Sequence, residues 1–179
     1  MSNMSMNMAM QNMMNHNWSY RLNYVVNEKY IFTVAFKDGS SRVIESKIYP
    51  DTTAHSNYLL MINKNVPKKD PAREQKIYPK ETLKISRADD SGQEIIGNAN
   101  DTCWLFKVMT GKINAYSYVS ETEGINTFYL SAFQTGDGVV QKLTPEALEP
   151  ILKSDEKAYK AFLKKDYYTA IKRYNKDNK

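Results

Sequence analysis

The sequence predicts an α+β fold: a bent antiparallel β-sheet or open barrel of about seven to nine strands, followed by two or three short C-terminal helices. Three observations carry this. From residue 29 to residue 143, apolar residues recur with a period of two between turn signals such as Asp38-Gly39, Pro50-Asp51 and Gly136-Asp137-Gly138. After Thr144 the period lengthens to that of a helix. Strands first and helices last is the order of an α+β domain rather than of alternating βαβ units.

In chain order, residues 1–17 (MSNMSMNMAMQNMMNHN) carry no charge and no β-branched residue, a composition expected of a flexible tail. Residues 18–143 are expected to form the β domain and residues 144–179 helices packed on its sheet, as one domain. Residues 18–24 (WSYRLNY) alternate weakly. Residues 29–37 form a strand with Ile31, Thr33 and Ala35 on one face and Tyr30, Phe32, Val34 and Phe36 on the other. Asp38-Gly39 turns it back into residues 41–49, and residues 57–63 make a short apolar strand. Residues 64–76, with Pro67 and Pro71, read as an exposed polar loop. Pro79 bars a central strand at its own position, so the next strand starts at Thr82, with Leu83 and Ile85 inward.

Residues 101–121 (DTCWLFKVMTGKINAYSYVSE) are the most apolar and aromatic stretch and read as a central hairpin. Gly111-Lys112 suits a two-residue type II′ turn. That register pairs Trp104 with Val119, Phe106 with Ser117 and Val108 with Ala115 on one face. On the other it pairs Lys107 with Tyr116, whose ring carries the lysine stem. Trp104, Phe106 and Val108 are therefore core residues. Strands at residues 125–133 and 139–143 complete the sheet. Thr144 caps a first helix with the stripe Leu148, Ile151 and Leu152, and Ser154 a second with Tyr159, Phe162 and Leu163. Asp166 caps a third with Tyr167, Ala170, Ile171 and Tyr174.

The chain has 179 residues and a net charge of +5, with both signs interspersed. No concentrated basic stripe is present, which argues against a nucleic-acid partner. No run of about 20 apolar residues is available for a transmembrane helix, and the first residues lack the basic and apolar regions of a signal peptide. The single cysteine, Cys103, excludes an intrachain disulfide and a Cys-based metal site.

The candidate chemistry is sparse. Met4, Met6, Met8, Met10, Met13, Met14 and His16 offer soft sulfur and one nitrogen, suited to Cu(I). Cys103 lies in an apolar strand, where a thiol is inert. The acidic pairs Asp89-Asp90 and Glu121/Glu123 fall at turns, where carboxylates serve the backbone. No P-loop, Rossmann, HExxH or GxSxG pattern occurs. Tyr116, Tyr118, Tyr129, Tyr167 and Tyr168 are either a recognition surface for a protein, peptide or glycan or the seam between sheet and helices.

Two resemblances add to this. Residues 158–176, with Phe162-Leu163, Asp166-Tyr167-Tyr168, Ala170-Ile171 and Tyr174-Asn175, are similar to one helical pair of a tetratricopeptide repeat. A lone copy cannot build the stacked superhelix of that family. The body from about Lys29 onward resembles a set of small uncharacterised envelope-type proteins of Bacteroidota. The shared features are Asp38-Gly39, Tyr78-Pro79-Lys80-Glu81-Thr82, the DTCWLFK of residues 101–107 and the AIKRYN of residues 170–175. That resemblance implies export to the cell envelope and no activity. The expected function is a non-catalytic binding or structural module without a cofactor. The alternative is a metal-handling protein that holds Cu(I) in its Met/His tail.

Overall fold

A computed structural model describes residues 26–121 and 125–178 of the chain. The tail of residues 1–17, its Met4–His16 ligand set and the alternating stretch 18–24 lie outside the described residues.

Alternation in the first strand sets the inner face. In β1 (Tyr30–Phe36), Phe32 and Val34 are buried while Ile31 is 66% exposed, as the pattern predicts. Asp38 accepts hydrogen bonds from the Ser40 backbone and hydroxyl, Gly39 takes φ +86°, and the chain returns as β2 (Ser41–Ser46). The expected strand 41–49 does not continue straight. At Lys47 it leaves the sheet, and β3 (Ile48–Asp51), β4 (Ser56–Ile62) and β5 (Glu74–Ile77) form a separate antiparallel sheet. The loop expected at 64–76 therefore ends inside a strand.

A 3-10 turn at Pro79–Glu81 brings the chain back to pair β6 (Thr82–Ala88) with β1. From there it meanders through β7 (Glu94–Ala99), β8 (Trp104–Met109), β9 (Ile113–Ser117), β10 (Leu130–Thr135) and β11 (Gln141–Lys142). The main sheet has eight strands in the order β11-β10-β9-β8-β7-β6-β1-β2, all neighbours antiparallel. The class is α+β with an open sheet.

One row of cross-strand partners runs along this sheet: Val34, Ile85, Gly97, Phe106, Ser117 and Leu130. Gly97 is fixed by its neighbour, because a Cβ there would lie 2.5 Å from the Phe106 ring. The β3–β5 sheet covers one half of this face, where Phe32, Ile44, Leu59, Ile77, Trp104 and Phe106 form one core. The helices α1 (Pro145–Leu152), α2 (Glu156–Leu163) and α3 (Tyr167–Asp177) cover the other half, where Ile113, Phe133, Leu148, Leu152 and Ile171 form a second. Each large side chain so buried contributes about 1.5–3 kcal/mol.

Two bulges correct the expected registers. The pairing Ala35–Lys84 is followed by Phe36–Thr82, so Leu83 is extra, 57% exposed, and Thr82 turns inward instead. Thr82 then does what no apolar residue would do there: its hydroxyl accepts from the Trp104 indole at 2.9 Å and donates to the Pro79 carbonyl at 2.9 Å, all three groups buried. In the central hairpin, Phe106–Ser117 and Lys107–Tyr116 pair as expected, but Met109, not Val108, meets Ala115. Val108 is the bulged residue and is only half-buried.

The turn is not type II′ either, because Gly111 does not take positive φ. Gly111 is needed for a different reason: Asn175 of α3 lies against it, where a Cβ would stand. The Asn175 amide accepts from Ile113 N–H at 2.9 Å and donates to the Ile113 carbonyl at 2.8 Å. The other end of α3 is fastened too, since the Tyr168 N–H donates to Thr127 Oγ1 at 3.0 Å. Thr144 and Asp166 cap α1 and α3 as expected. Asp155 rather than Ser154 caps α2, because its carboxylate reaches Ala158 N–H at 2.8 Å. Leu163 is 63% exposed, and Ala158, Ala161 and Phe162 make the buried stripe of α2.

Trp104 is fully buried, so Trp104→Ala should cost about 3–5 kcal/mol in urea unfolding. Thr82→Val keeps the shape yet orphans the indole N–H, and should cost about 1–3 kcal/mol.

Candidate functional site

An open cleft of ≈ 660 Å³ lies where the small sheet meets the bend before β8 and the segments flanking β9 and β10. Its walls come from distant parts of the chain: Val26 and Asn27, Ile48 and Pro50 to Thr52 along and after β3, His55 to Asn57 at the start of β4, Thr102 and Cys103 before β8, Tyr118 and Val119 after β9, and Phe128, Tyr129 and Ser131 around the start of β10.

Local structure explains how these meet. Asp51 stabilises the turn after β3 by accepting from the N–H groups of Thr53 and Ala54, and His55 closes it in the left-handed region at φ 49°. The Asn57 N–H and the Ser56 hydroxyl both donate to the Thr102 carbonyl, at 2.7 and 3.1 Å, which ties the small sheet to the bend before β8. Asn126 caps the 3-10 turn Thr127–Tyr129, which lifts Phe128 into solvent at 75% exposure and turns Tyr129 toward Tyr118, ring centroids 6.0 Å apart. Residues 125–129 were expected as strand. Asn27 is pinned to β3 by a pair of bonds with the Ile48 backbone, at 2.8 and 3.0 Å, and its N–H donates to Glu121.

The lining is mostly apolar and aromatic, with a few polar groups. Burial pushes the Cys103 thiol above its ordinary pKa, so it is not an activated nucleophile. It sits in the bend before β8 and is partly exposed, not inside a strand as the sequence suggested. The Ser131 hydroxyl is buried and has no hydrogen-bond partner among the described residues. Among the same residues no group of three or more His, Cys, Asp or Glu side chains could hold a metal ion.

The five tyrosines singled out in the sequence do not share one surface. Tyr118 and Tyr129 line the cleft. Tyr116 is buried on the opposite face of the sheet, its hydroxyl donating to Gln134 at 2.7 Å and Lys107 lying 5.7 Å from its ring centroid. Tyr167 and Tyr168 pack against the helix-covered core, in the seam between sheet and helices. Of the acidic pairs, Asp89 accepts from Ser91 and Gln93 N–H, and Glu121 from Asn27 and Glu28 N–H.

Sequence reasoning missed a different aromatic group. Tyr49 stacks on Tyr58, and Tyr78 lies tilted beside Tyr58, on the outer face of the small sheet, with centroids 5.4 and 6.0 Å apart. Lys76 lies 4.6 Å over Tyr58 and forms an ion pair with Asp51 at 2.7 Å, and the Tyr78 hydroxyl donates to the same carboxylate at 2.9 Å. The signal was there: Ile48-Tyr49, Tyr58-Leu59 and Ile77-Tyr78 each place a tyrosine beside a buried aliphatic residue, one pair per strand. Asp51 thus links the cleft wall to this tyrosine row.

Compared with protein-family models, with curated proteins and with solved structures, the chain matches none.

The bonds from Lys76, the Ala54 N–H and the Tyr78 hydroxyl hold the Asp51 carboxyl well below the usual carboxylate range. A carboxyl depressed on folding adds stability above its unfolded pKa, and that stability is lost as pH falls toward the folded value. The urea midpoint should therefore fall on acidification from about pH 6 to about pH 2, and fall less steeply in Asp51→Asn.

Proposed function

We propose that this chain is a non-catalytic binding module and that the cleft beside its small sheet is the docking site for an apolar segment of a partner protein or peptide. The observation that carries this reading is the combination at the mouth of the cleft. Phe128 holds its ring 75% exposed beside a lining dominated by Ile48, Pro50, Val119 and Tyr129. An exposed aromatic next to an apolar depression loses water-facing area only when something docks there. The size agrees, since ≈ 660 Å³ falls within the roughly 300–1,000 Å³ of ligand sites.

A partner rich in aromatic or aliphatic side chains suits this lining better than a glycan, which asks for many hydrogen-bonding groups. The tyrosine row on the small sheet is a weaker seat for a sugar, because Lys76 already covers Tyr58 and is itself paired. Against catalysis stands the Cys103 thiol, which burial makes a poorer nucleophile.

The neutral apolar dye Nile red tests the site. It should bind with a blue-shifted emission, and Phe128→Asp should weaken binding by about tenfold or more. Ile96→Asp lies in the β7 strand on the exposed face of the sheet and should leave binding unchanged. Equal binding by all three proteins would remove the cleft as the site.

A further inference from the structure

We propose that the outer edge of β2 pairs with the same edge of a second copy of this chain, antiparallel and centred on Val43, so that two eight-stranded sheets continue as one. This surface is separate from the cleft and stands without it.

The first argument is the direction of the backbone groups. At the end of β1, Phe36 N–H donates across the hairpin to the Ser40 carbonyl at 2.9 Å, while Lys37 N–H turns the other way, to Glu81 at 3.1 Å. The register continues with Val34 opposite Arg42 and Phe32 opposite Ile44. Alternation along a strand then gives the bonds to β1 to Arg42, Ile44 and Ser46, and turns the N–H and C=O groups of Ser41, Val43 and Glu45 outward. Among the described residues no strand pairs with that side of β2. Only its far end is sheltered, where the Ser46 hydroxyl accepts from Leu60 N–H at 2.9 Å. The usual guards of a sheet edge are missing: β2 has no proline and no register shift, and Arg42 is folded back over Phe36, 5.4 Å from its ring centroid. Val43 stands in the middle of this edge, 71% exposed, beside Ile31 at 66%.

The second argument selects the occupant. Unmet ladder groups call for an extended strand, and β2 is complementary to itself. A two-fold axis at Val43 sets Val43 against Val43 of the second copy, and Ser41 against its Glu45. All the outward backbone groups of Ser41, Val43 and Glu45 are then bonded at once, as an isologous interface requires. No like charges face each other, and the Ser41 hydroxyl donates to the opposing carboxylate. A slip of two residues either way sets Val43 against a glutamate or a serine and leaves part of the ladder unpaired. The side chains agree with the centred register. Val43, Thr33, Ser86 and Ile96 are successive cross-strand partners on the outer face. Through the axis this row meets its own copy, and the most exposed member of the row becomes its buried centre.

So short an edge makes a small interface, so the dimer should form only as protein concentration rises. Sedimentation equilibrium of the full chain should show a monomer–dimer equilibrium. Ser41→Glu places a carboxylate opposite Glu45 on both sides of the axis and should raise the dimer Kd by about fivefold, whereas Ser41→Lys should lower it by a similar factor. Val43→Lys opposes two like charges at the axis and should abolish the dimer. Val139→Lys, at an 85% exposed position just before β11 at the other end of the sheet, should leave it intact. The near-ultraviolet circular dichroism of the buried Trp104 checks that each variant is folded. Amide exchange at Val43 and Glu45 should slow as concentration rises, since these N–H groups gain partners only in the dimer. A chain that stays monomeric at every concentration overturns the inference, and so does a dimer indifferent to both Ser41 substitutions. Slow exchange at Val43 in the monomer shows the edge already paired within one chain and overturns it as well.

Discussion

The molecule depends on the hydrogen-bond relay from the Trp104 indole through the Thr82 hydroxyl to the Pro79 carbonyl. Three pieces of chain meet there: the central strand β8, the strand β6 and the turn by which the chain re-enters the main sheet. All of it is out of reach of water, so a missing partner cannot be replaced by solvent. Leucine at the following position would suit an unbroken alternation, but only a slip of one residue turns Thr82 inward. The bulge at Leu83 supplies that slip and leaves an apolar side chain 57% exposed. The cost of that exposed leucine is modest beside the cost of an unmet buried indole N–H.

This explains which parts of the fold were legible in the sequence. Where one face of a strand packs and the other is wet, as in β1, alternation marks both the strand and its buried side chains. The capping residues Thr144 and Asp166 announce their helices because the hydrogen bond they make is local. The bulges at Leu83 and Val108 carry no such mark: each is decided by a partner on another strand. The corner at Lys47 was hidden for a similar reason. Residues 41–49 alternate continuously, and only the pairing of Ile48 with Leu59 reveals that they belong to two sheets.

The cleft was illegible for a different cause. Its walls are ends of strands and turns that touch only in the folded chain. Tyr118 and Tyr129 could be singled out as aromatics, but Tyr118 parts from Tyr116 because β9 ends at Ser117 and the chain bends there, and Tyr167 and Tyr168 are placed by the docking of α3. Building one inner face from two independent covers leaves each with its own core.

The amide of Asn175 imitates a strand. By bonding both polar groups of Ile113 it completes, from a helix, the ladder position that a neighbouring backbone would otherwise occupy, across 62 residues of chain. During synthesis the central β-hairpin leaves the ribosome well before that helix does. Until residue 175 has emerged, the hairpin's tip carries an unmet donor and acceptor, open to any other strand in the vicinity. The nascent protein thus has a defined interval of vulnerability to mispairing, and the last described helix ends it.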